Sequence, residues 1–453
     1  MPKRQKITMK KLRNQQLPLQ ASYQKSSSGI ELQKIEALLE EIAGWEEFLV
    51  QVGEKLSDKG GASSRISVEQ VVKAAIVKSL FDCSYRKLAD LLVDSRAVGA
   101  FLGLQFDESF SRSTLHASIS RVDADDWREL NRLLLCRGVE LEVETGAVLR
   151  SDSTVTETNI HHPTDSSLIV DGIRVLTRLM LKLQRMEGTL SFSNHLRRAK
   201  SRLYEINNSS SYDERYPYYK DLLRVGEMVS GYVTRYLQKA KGDRAKALPP
   251  KGMALRLELQ KNQLLMQRVL QQTFRRVIRG ENVPAEEKVV SFYQPDTDII
   301  KKGGRETLFG HKLSVTAGLH LIMGCDVLEG NPSDSTLVEA VLKEHITVYG
   351  YAPDYAAFDG GYCSQANRDL LKERGVEALT FCKHGSLPRE TLCSSSKLHR
   401  ELMNFRAGIE GLISSLKRNY GLRRIFETGR RRFASTVQRS VVAFNLRTMV
   451  RLL

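Results

Sequence analysis

The sequence predicts a mixed α/β fold of the α+β type, in which a sheet core is interrupted by a large helical insertion. Residues 147–156 are β-branched and alternate between apolar and polar, which is typical of a strand. Residues 173–280 instead carry Leu, Arg, Lys and Gln at helical spacing, broken mainly at Pro249-Pro250. From residue 288 onward, strand and helix signals alternate. An all-helical region precedes the first strand.

These signals divide the 453 residues into four segments, a number that suits a chain of this length. The first is a helical region, similar to a helix-turn-helix module and suited to DNA binding. The second and fourth are two parts of one core, and the third is the basic helical insertion between them. The predicted boundaries are 1–140, 141–172, 173–285 and 286–453.

Three short helices are predicted in the N-terminal region, each beginning at a serine that can cap it. They cover 67–80, 84–92 and 111–121. Ser, Arg, Thr and His on their outer faces suit contacts with phosphates and base edges. The stretch between the second and third helices is longer than the usual turn of this motif. An all-α packing domain is therefore the alternative.

Strands and helices alternate in the last third of the chain. Strands are predicted at 288–293, 310–318, 321–328, 354–359 and 376–381, the second and third forming a hairpin. Helices are predicted at 335–349, 365–374 and 404–419. Asp334 is expected to cap the first of these helices.

Positive charge is concentrated in three segments. The chain has 69 Lys and Arg against 53 Asp and Glu, a net charge of +16. Residues 1–14 contain six basic residues and no acid, 181–280 contain 21 basic and 8 acidic residues, and 401–453 contain 11 and 3. Basic segments of this extent favour a polyanionic partner such as DNA, although each alone could be a solvated helix face.

Several classes of protein are excluded or disfavoured. No apolar run approaches the ~18 residues of a membrane span, and no apolar segment of a secretory signal follows the basic start. The six cysteines are widely spaced, without a C-x-x-C pair or zinc-ligand spacing, which predicts a reducing, cytoplasmic location. No G-x-S-x-G turn supports a serine nucleophile.

Three acidic residues are candidates for chemistry. Asp152 lies in the first predicted strand, and Asp359 ends a later one, directly before two glycines. Glu410 lies on a predicted helix, where spacings of four and seven put Arg406 and Lys417 on its face. Taken alone, Arg406 and Glu410 could form an ordinary surface ion pair, worth only tenths of a kcal/mol.

Taken together, the three acids predict a metal site. Mg²⁺ favours carboxylate oxygens, and two ions about 3.5–4 Å apart can stabilise both the attacking and the leaving oxygen of an in-line phosphoryl displacement. Three neighbouring carboxylates repel one another unless a cation compensates their charge. Glycines after Asp359 would allow close approach of a DNA backbone.

Five ordered motifs resemble those of the DDE transposases of bacterial insertion sequences. They are the segment from Asp152 to Leu168, Phe309-Gly-His-Lys312, Gly330-Asn-Pro-Ser-Asp334, Asp359-Gly-Gly-Tyr362 with Asn367, and Arg406-x3-Glu410-x6-Lys417. The chain differs from the family's usual pattern at Met403, where Tyr is common, and at Gly360, where a basic residue is frequent. Neither difference removes an acid.

The resemblance implies an RNase-H-like core in which Asp152, Asp359 and Glu410 are catalytic and bind two Mg²⁺ ions, which Mn²⁺ can replace. It implies hydrolysis at the ends of a mobile element and strand transfer into target DNA. The partners would be the terminal inverted repeats and target DNA, bound by a homodimer or larger oligomer at the bacterial nucleoid. No membrane is involved.

Five basic side chains are predicted to contact DNA. Arg406 and Lys417 would hold phosphates beside the metals, and Lys312 is either a DNA contact or a surface lysine. Arg423 and Arg424 are either DNA-facing or part of a solvated tail. His161-His162 is interpreted as a loop, and Asp165 as a turn or cap residue rather than a fourth metal ligand.

Two alternative functions use the same features. A nuclease with the same three acids would stop after hydrolysis. A protein descended from a transposase could instead bind DNA without catalysis, although an intact set of three acids disfavours this.

Overall fold

The computed structural model describes residues 26–57, 66–105, 107–187, 190–240, 249–302, 306–382 and 387–453. The basic segment 1–14 lies outside these residues. The chain divides into two compact units. The first comprises Met1–Glu157 and His311–Leu453, and the second comprises Thr158–Gly310.

Short helices with side-chain caps form the N-terminal part of the first unit. As predicted, Ser67, Ser84 and Ser111 each accept a hydrogen bond from a backbone N–H in the first turn of the helix that follows. One short helix between the second and third predicted helices was missed. The helices are α1 Ser27–Glu41, α2 Trp45–Ser57, α3 Val68–Leu80, α4 Tyr85–Asp94, α5 Arg96–Phe101, α6 Arg112–Ile119 and α7 Ala124–Glu140.

The strands form a mixed sheet. They are β1 Val148–Thr158, β2 Asp298–Lys302, β3 Glu306–Ala317, β4 Ile322–Val327, β5 Tyr355–Phe358, β6 Ala378–Phe381 and β7 Arg424–Ile425. In the first unit the order is β3-β1-β5-β6, with β4 antiparallel to β3 and β7 paired with β1. β1, β5 and β6 are mutually parallel. The predicted hairpin of β3 and β4 is confirmed.

The second unit is mainly helical, as the spacing of its apolar residues predicts. Its helices are α8 Asp165–Glu187, α9 Leu196–Asn208, α10 Tyr212–Lys239 and α11 Pro250–Thr273, followed by a π-helical turn at Phe274–Ile278. α11 begins at the predicted proline break. These helices share one hydrophobic core, and β2 pairs antiparallel with the start of β3. No described helix is long and apolar enough to cross a membrane.

The predicted strand at 288–293 is wrong. Val289 forms its backbone hydrogen bonds with the side-chain amide of Gln272, which donates to its C=O and accepts from its N–H. Phe292 joins the apolar core of the second unit. A side-chain amide thus forms the hydrogen bonds with the Val289 backbone that a neighbouring strand would otherwise form. The strand in this part of the chain is β2.

The remaining helices complete the first unit. They are α12 Val338–Tyr349, α13 Gln365–Glu373, α14 Arg389–Leu392, α15 Ser396–Asn419 and α16 Arg430–Leu452. α15 begins eight residues before the predicted start, because Ser395 caps it by accepting a hydrogen bond from the Leu398 N–H. α16 is buried on most sides and packs against α3, α7 and β4. The N-terminal helices and the sheet therefore share one core.

Glu344, on α12, lies against the backbone of β4. Its carboxylate is so close to Gly324 that a Cβ at that position would clash with Oε1. Burial and the negative charge of Asp326 raise the pKa of Glu344 to about 7, against an opposing effect of Arg128. This residue therefore titrates near neutral pH.

We expect Glu344→Gln to be more stable than the wild type at pH 8, by a margin about 2 kcal/mol larger than at pH 5. The raised pKa of Glu344 means that its contribution to stability is complete below its ordinary pKa of 4.5 and is lost as the pH rises through about 7. Urea unfolding at both pH values measures the difference. Glu339→Gln, an exposed site on the same helix, is the control and should show no such change. A margin that does not depend on pH would contradict this account.

Candidate active site

Two predicted catalytic acids lie side by side, Asp152 in the middle of β1 and Asp359 directly after β5. β1 and β5 pair in parallel, with Val148 opposite Tyr355 and Ser151 opposite Phe358. The next residues on the two strands are Asp152 and Asp359. Because neighbouring parallel strands keep this register, the two carboxylates lie next to each other at the C-terminal end of β5.

A buried arginine holds α15 against β1. Arg150 donates a hydrogen bond of 2.8 Å from one guanidinium nitrogen to the Phe405 C=O, and its guanidinium lies 4.4 Å from the centre of the Phe405 ring. A Cβ at Gly408 would be only 2.5 Å from this guanidinium, so glycine permits the close approach. Arg150 and Asp152 are two residues apart and thus face the same side of the strand. Arg150 therefore positions α15 beside Asp152.

The guanidinium of Arg406 contacts all three predicted acids. One terminal nitrogen lies 2.9 Å from Asp152 Oδ2 and 3.3 Å from Asp359 Oδ1. The other lies 2.9 Å from Glu410 Oε1, one helical turn away on α15. Two strands and one helix thus bring three carboxylates to a single cation.

The solvent exposure of the side chains increases across the site. The side chains of Arg406 and Asp152 are 12% and 16% exposed, whereas those of Asp359 and Glu410 are 40% and 67% exposed. Burial raises the pKa of Asp152, and the charges of Asp359 and Asp334 add to this effect. Arg406 and a hydrogen bond from the Ser153 N–H oppose it. Burial also opposes the charge of Arg406, but Asp152 and Asp359 outweigh it and raise the Arg406 pKa.

The donor set at this site fits hard divalent cations. Asp152, Asp359 and Glu410 supply only carboxylate oxygens, which Mg²⁺ and Mn²⁺ prefer. Within the described ranges, no three His, Cys, Asp or Glu side chains lie in a metal-binding arrangement. The guanidinium of Arg406 lies among the three carboxylates and compensates part of their charge.

Two family models match the chain. The family described as "Transposase DDE domain" matches residues 283–446, a range that contains Asp359, Arg406 and Glu410. The family described as "Transposase domain (DUF772)" matches residues 20–122. The chain belongs to the DDE transposases. No curated protein and no solved structure matches it.

Membership of the family confirms several predictions. The protein is a DNA transposase, its substrate is DNA, and its mixed sheet is an RNase-H-like core preceded by a helical N-terminal region. Transposases of this family act with a divalent metal ion. Asp152 lies outside both matched ranges, so its assignment depends on the resemblance of its motif and on its position beside Asp359.

Lys312 of the transposase is buried, not exposed on the surface. Its ammonium group lies 2.9 Å from Asp334 Oδ1 and donates a hydrogen bond of 2.7 Å to the Pro332 C=O. The expectation that Asp334 caps a helix is wrong: it begins a 3₁₀ turn, and α12 starts only at Val338. The pairing with Lys312 explains the difference. The Asp334 carboxylate also lies against Gly361, two residues after Asp359.

We expect Lys312→Met to destabilise the transposase by about 2 kcal/mol, because Asp334 would lose the cation that compensates its charge. Urea unfolding measures the loss. Lys301→Met, at an exposed position on β2, is the control and should have little effect. Unchanged stability with weaker DNA binding would instead favour the direct DNA contact that the sequence predicts for Lys312.

The other predicted basic residues lie away from the three carboxylates. Lys417 lies about two helical turns beyond Glu410 on α15 and is half-buried. Arg423 and Arg424 follow α15 and are exposed. The Arg423 C=O accepts a hydrogen bond from the Glu157 N–H, and the Arg424 guanidinium pairs with the Glu157 carboxylate at 3.3 Å. These two arginines thus border the strand that carries Asp152.

The remaining candidates lie in the second unit. His161 precedes α8 in a segment without regular structure, and it pairs with Asp171 at 3.3 Å. Asp165 is the first residue of α8 and pairs with Arg276 at 2.8 Å. Thr164 accepts the hydrogen bond from the Ser167 N–H that Asp165 as a cap would have accepted.

The sequence did not reveal Arg150 as a positioning residue. The sequence did contain an indication of this role. An arginine two residues before Asp152 on a buried strand faces the same side as Asp152, and its buried charge requires hydrogen-bond acceptors. Its partners are the backbone C=O groups of Phe405 on α15 and of Leu319, which no side-chain pattern indicates.

Proposed function

We propose that this transposase cuts the ends of its mobile element and joins them to target DNA at Asp152, Asp359 and Glu410, with two Mg²⁺ or Mn²⁺ ions. The observation that supports this is the convergence of the three carboxylates on the guanidinium of Arg406. Such an arrangement concentrates negative charge at one point, and a single guanidinium compensates only part of it. The site therefore has a capacity for further cations.

The three carboxylates would hold the ions, Asp152 from β1, Asp359 from the end of β5 and Glu410 from α15. Bound divalent ions supply charge stabilisation for the attacking and leaving oxygens of an in-line displacement. Arg406 would exchange its carboxylate partners for a DNA phosphate, to which its planar fork can donate two hydrogen bonds. Arg150 keeps α15 in place during this exchange.

The same site would serve two successive displacements. In the first, water attacks a phosphodiester at the element end, and the 3′ oxygen leaves as a free hydroxyl. In the second, this hydroxyl attacks a phosphodiester of the target, joining the two DNAs and releasing a target strand end. Both reactions have one type of transition state, so one arrangement of charges can stabilise both.

DNA binding would involve cations of both units. We assign Lys417, Arg423 and Arg424 to phosphate contacts, together with the basic helices of the second unit. For Lys312, the buried pair with Asp334 favours a positioning role over a direct contact. The N-terminal helices would recognise the terminal inverted repeats. Because two element ends must be joined to one target, we propose a homodimer or larger oligomer acting at the bacterial nucleoid.

A strand-transfer assay tests this function. The transposase is incubated with Mg²⁺, pre-cleaved element ends bearing a 3′-OH, and a supercoiled plasmid. Joined products support the proposal. Cleavage of uncut ends without joining would favour a nuclease, and stable binding without either product would favour a non-catalytic DNA-binding protein.

A further inference from the structure

A groove with a volume of about 680 Å³ opens in the first unit, away from the three carboxylates. Residues of α3, α4 and α6 form one wall, and β7, the segment after it and α16 form the other. We call this the helical groove. Of its lining residues, Arg424 is the one individually assigned above to DNA binding, and none is assigned to catalysis.

The floor of the helical groove carries an excess of positive charge. Glu427 lies 3.2 Å from Lys78 Nζ and 3.7 Å from a guanidinium nitrogen of Arg439. Arg439 also donates a hydrogen bond of 2.9 Å to Ser79 Oγ. The buried Arg439 and the partly buried Lys78 therefore share one carboxylate, and part of their charge is left for a ligand.

Three further arginines line the walls, and their charge is available. Arg86 is on α4, Arg112 on α6 and Arg432 on α16, and all three are exposed. In the part of the chain that the structure describes, none of the three forms an ion pair; the acids that line the groove are Asp82 and Glu427. Cations from three separate helices thus face one space.

An aromatic side chain lies among these cations. Phe426 lines the groove and is 69% exposed, so packing within the fold does not explain its presence. Across the groove, Tyr85 and His116 stack edge to face, with ring centres 5.0 Å apart. Unpaired cations combined with an open aromatic ring are the features by which proteins bind single-stranded nucleic acid.

We propose that the helical groove binds one unpaired DNA strand, with phosphates at Arg86, Arg112 and Arg432 and a base stacked on Phe426. Duplex DNA keeps its base faces stacked inside and cannot offer one to Phe426. The inference uses only the fact that the transposase acts on DNA. It does not depend on the metal ions or on Asp152, Asp359 and Glu410.

Fluorescence anisotropy with a labelled 12-nucleotide oligo-dT and a 12-base-pair duplex, both in EDTA, tests the proposal without any DNA cleavage. We expect Phe426→Ala to weaken binding of oligo-dT about tenfold, within the range of one base–aromatic stack, and to leave duplex binding unchanged. Phe426→Leu, which stays apolar but loses the ring face, should behave like Phe426→Ala. Tyr204→Ala, at an exposed aromatic of the second unit, is the control and should change neither affinity.

The salt dependence of oligo-dT binding tests the arginines. For a variant with Arg86→Gln, Arg112→Gln and Arg432→Gln, we expect the slope of log K against log salt to fall by about 2, since each phosphate contact contributes ~0.7. The proposal is overturned if Phe426→Ala binds oligo-dT like the wild type, or loses affinity for single strand and duplex equally. An unchanged salt slope in the triple variant would also overturn it. Thermal melting verifies that each variant is folded.

Discussion

Asp359→Ala is expected to abolish strand cleavage while leaving DNA binding largely intact. The Asp359 carboxylate lies at the strand edge beside Asp152, and its loss removes a ligand that would hold the ions stabilising the transition state. We expect a fall in cleavage rate of at least about 1000-fold, or ~4 kcal/mol of barrier. The same result is expected for Asp152→Ala and Glu410→Gln. Cleavage of a labelled element-end duplex in Mg²⁺, with binding measured in EDTA, separates the two effects.

The matched control is Glu401→Ala, which removes an exposed acid from the same helix as Glu410. This variant should cleave like the wild type. If any one of the three active-site variants cleaves as fast as the wild type, that residue has no part in the mechanism. If a variant loses DNA binding together with cleavage, the acid contributes to the fold or the DNA interface instead.

Arg406→Gln is expected to destabilise the protein in the absence of divalent metal and to make its stability depend on Mg²⁺. Without the guanidinium, Asp152, Asp359 and Glu410 repel one another with no shared cation. We expect a loss of about 2–3 kcal/mol in EDTA, partly recovered when Mg²⁺ binds the folded state. Thermal melting at increasing Mg²⁺ concentration measures this, and no DNA or cleavage is involved.

The Mg²⁺-induced rise in Tm shows whether Arg406 competes with the metal. It should be larger in Arg406→Gln than in the wild type, where the guanidinium competes with the metal for the same oxygens. Arg400→Gln, at an exposed position on the same helix, should respond like the wild type. An equal response in all three proteins would show that Arg406 does not compete with metal. Arg406→Lys keeps the positive charge but loses the planar guanidinium that can donate two parallel hydrogen bonds. We therefore expect a rise in Tm between those of the wild type and Arg406→Gln.

Elements with strong local signals were predictable from the sequence. Alternating β-branched residues indicated β1, and serine caps with apolar faces indicated α3, α4 and α6. The segment 288–293 carries a similar strand signal but forms no strand, because the amide of Gln272 satisfies its backbone. The local pattern of residues cannot reveal a hydrogen-bond partner that is 17 residues away. Contacts between separate parts of the chain therefore decide that this segment is not a strand.

The sequence could name three candidate acids, but it could not give their geometry. Ordered motifs singled out Asp152, Asp359 and Glu410, whereas their proximity depends on β1 and β5 being neighbours in the sheet. Strand order is not encoded in any single segment. The same applies to the pair of Lys312 and Asp334, since a charged pair buried between two segments looks like two surface residues in the sequence.

The long C-terminal helix α16 has a consequence for the choice of the cutting position. It packs against α3 on one side and β4 on another, so the N-terminal helices and the catalytic sheet belong to one body. If the N-terminal helices bind a terminal repeat, the distance between these helices and the active site determines how far the scissile bond lies from the bound bases. The protein would then set a fixed distance between the bound repeat and the cut. If a few base pairs were inserted between the repeat and the cut site, the DNA would be cut at the same distance from the repeat, and hence at a shifted position in its sequence.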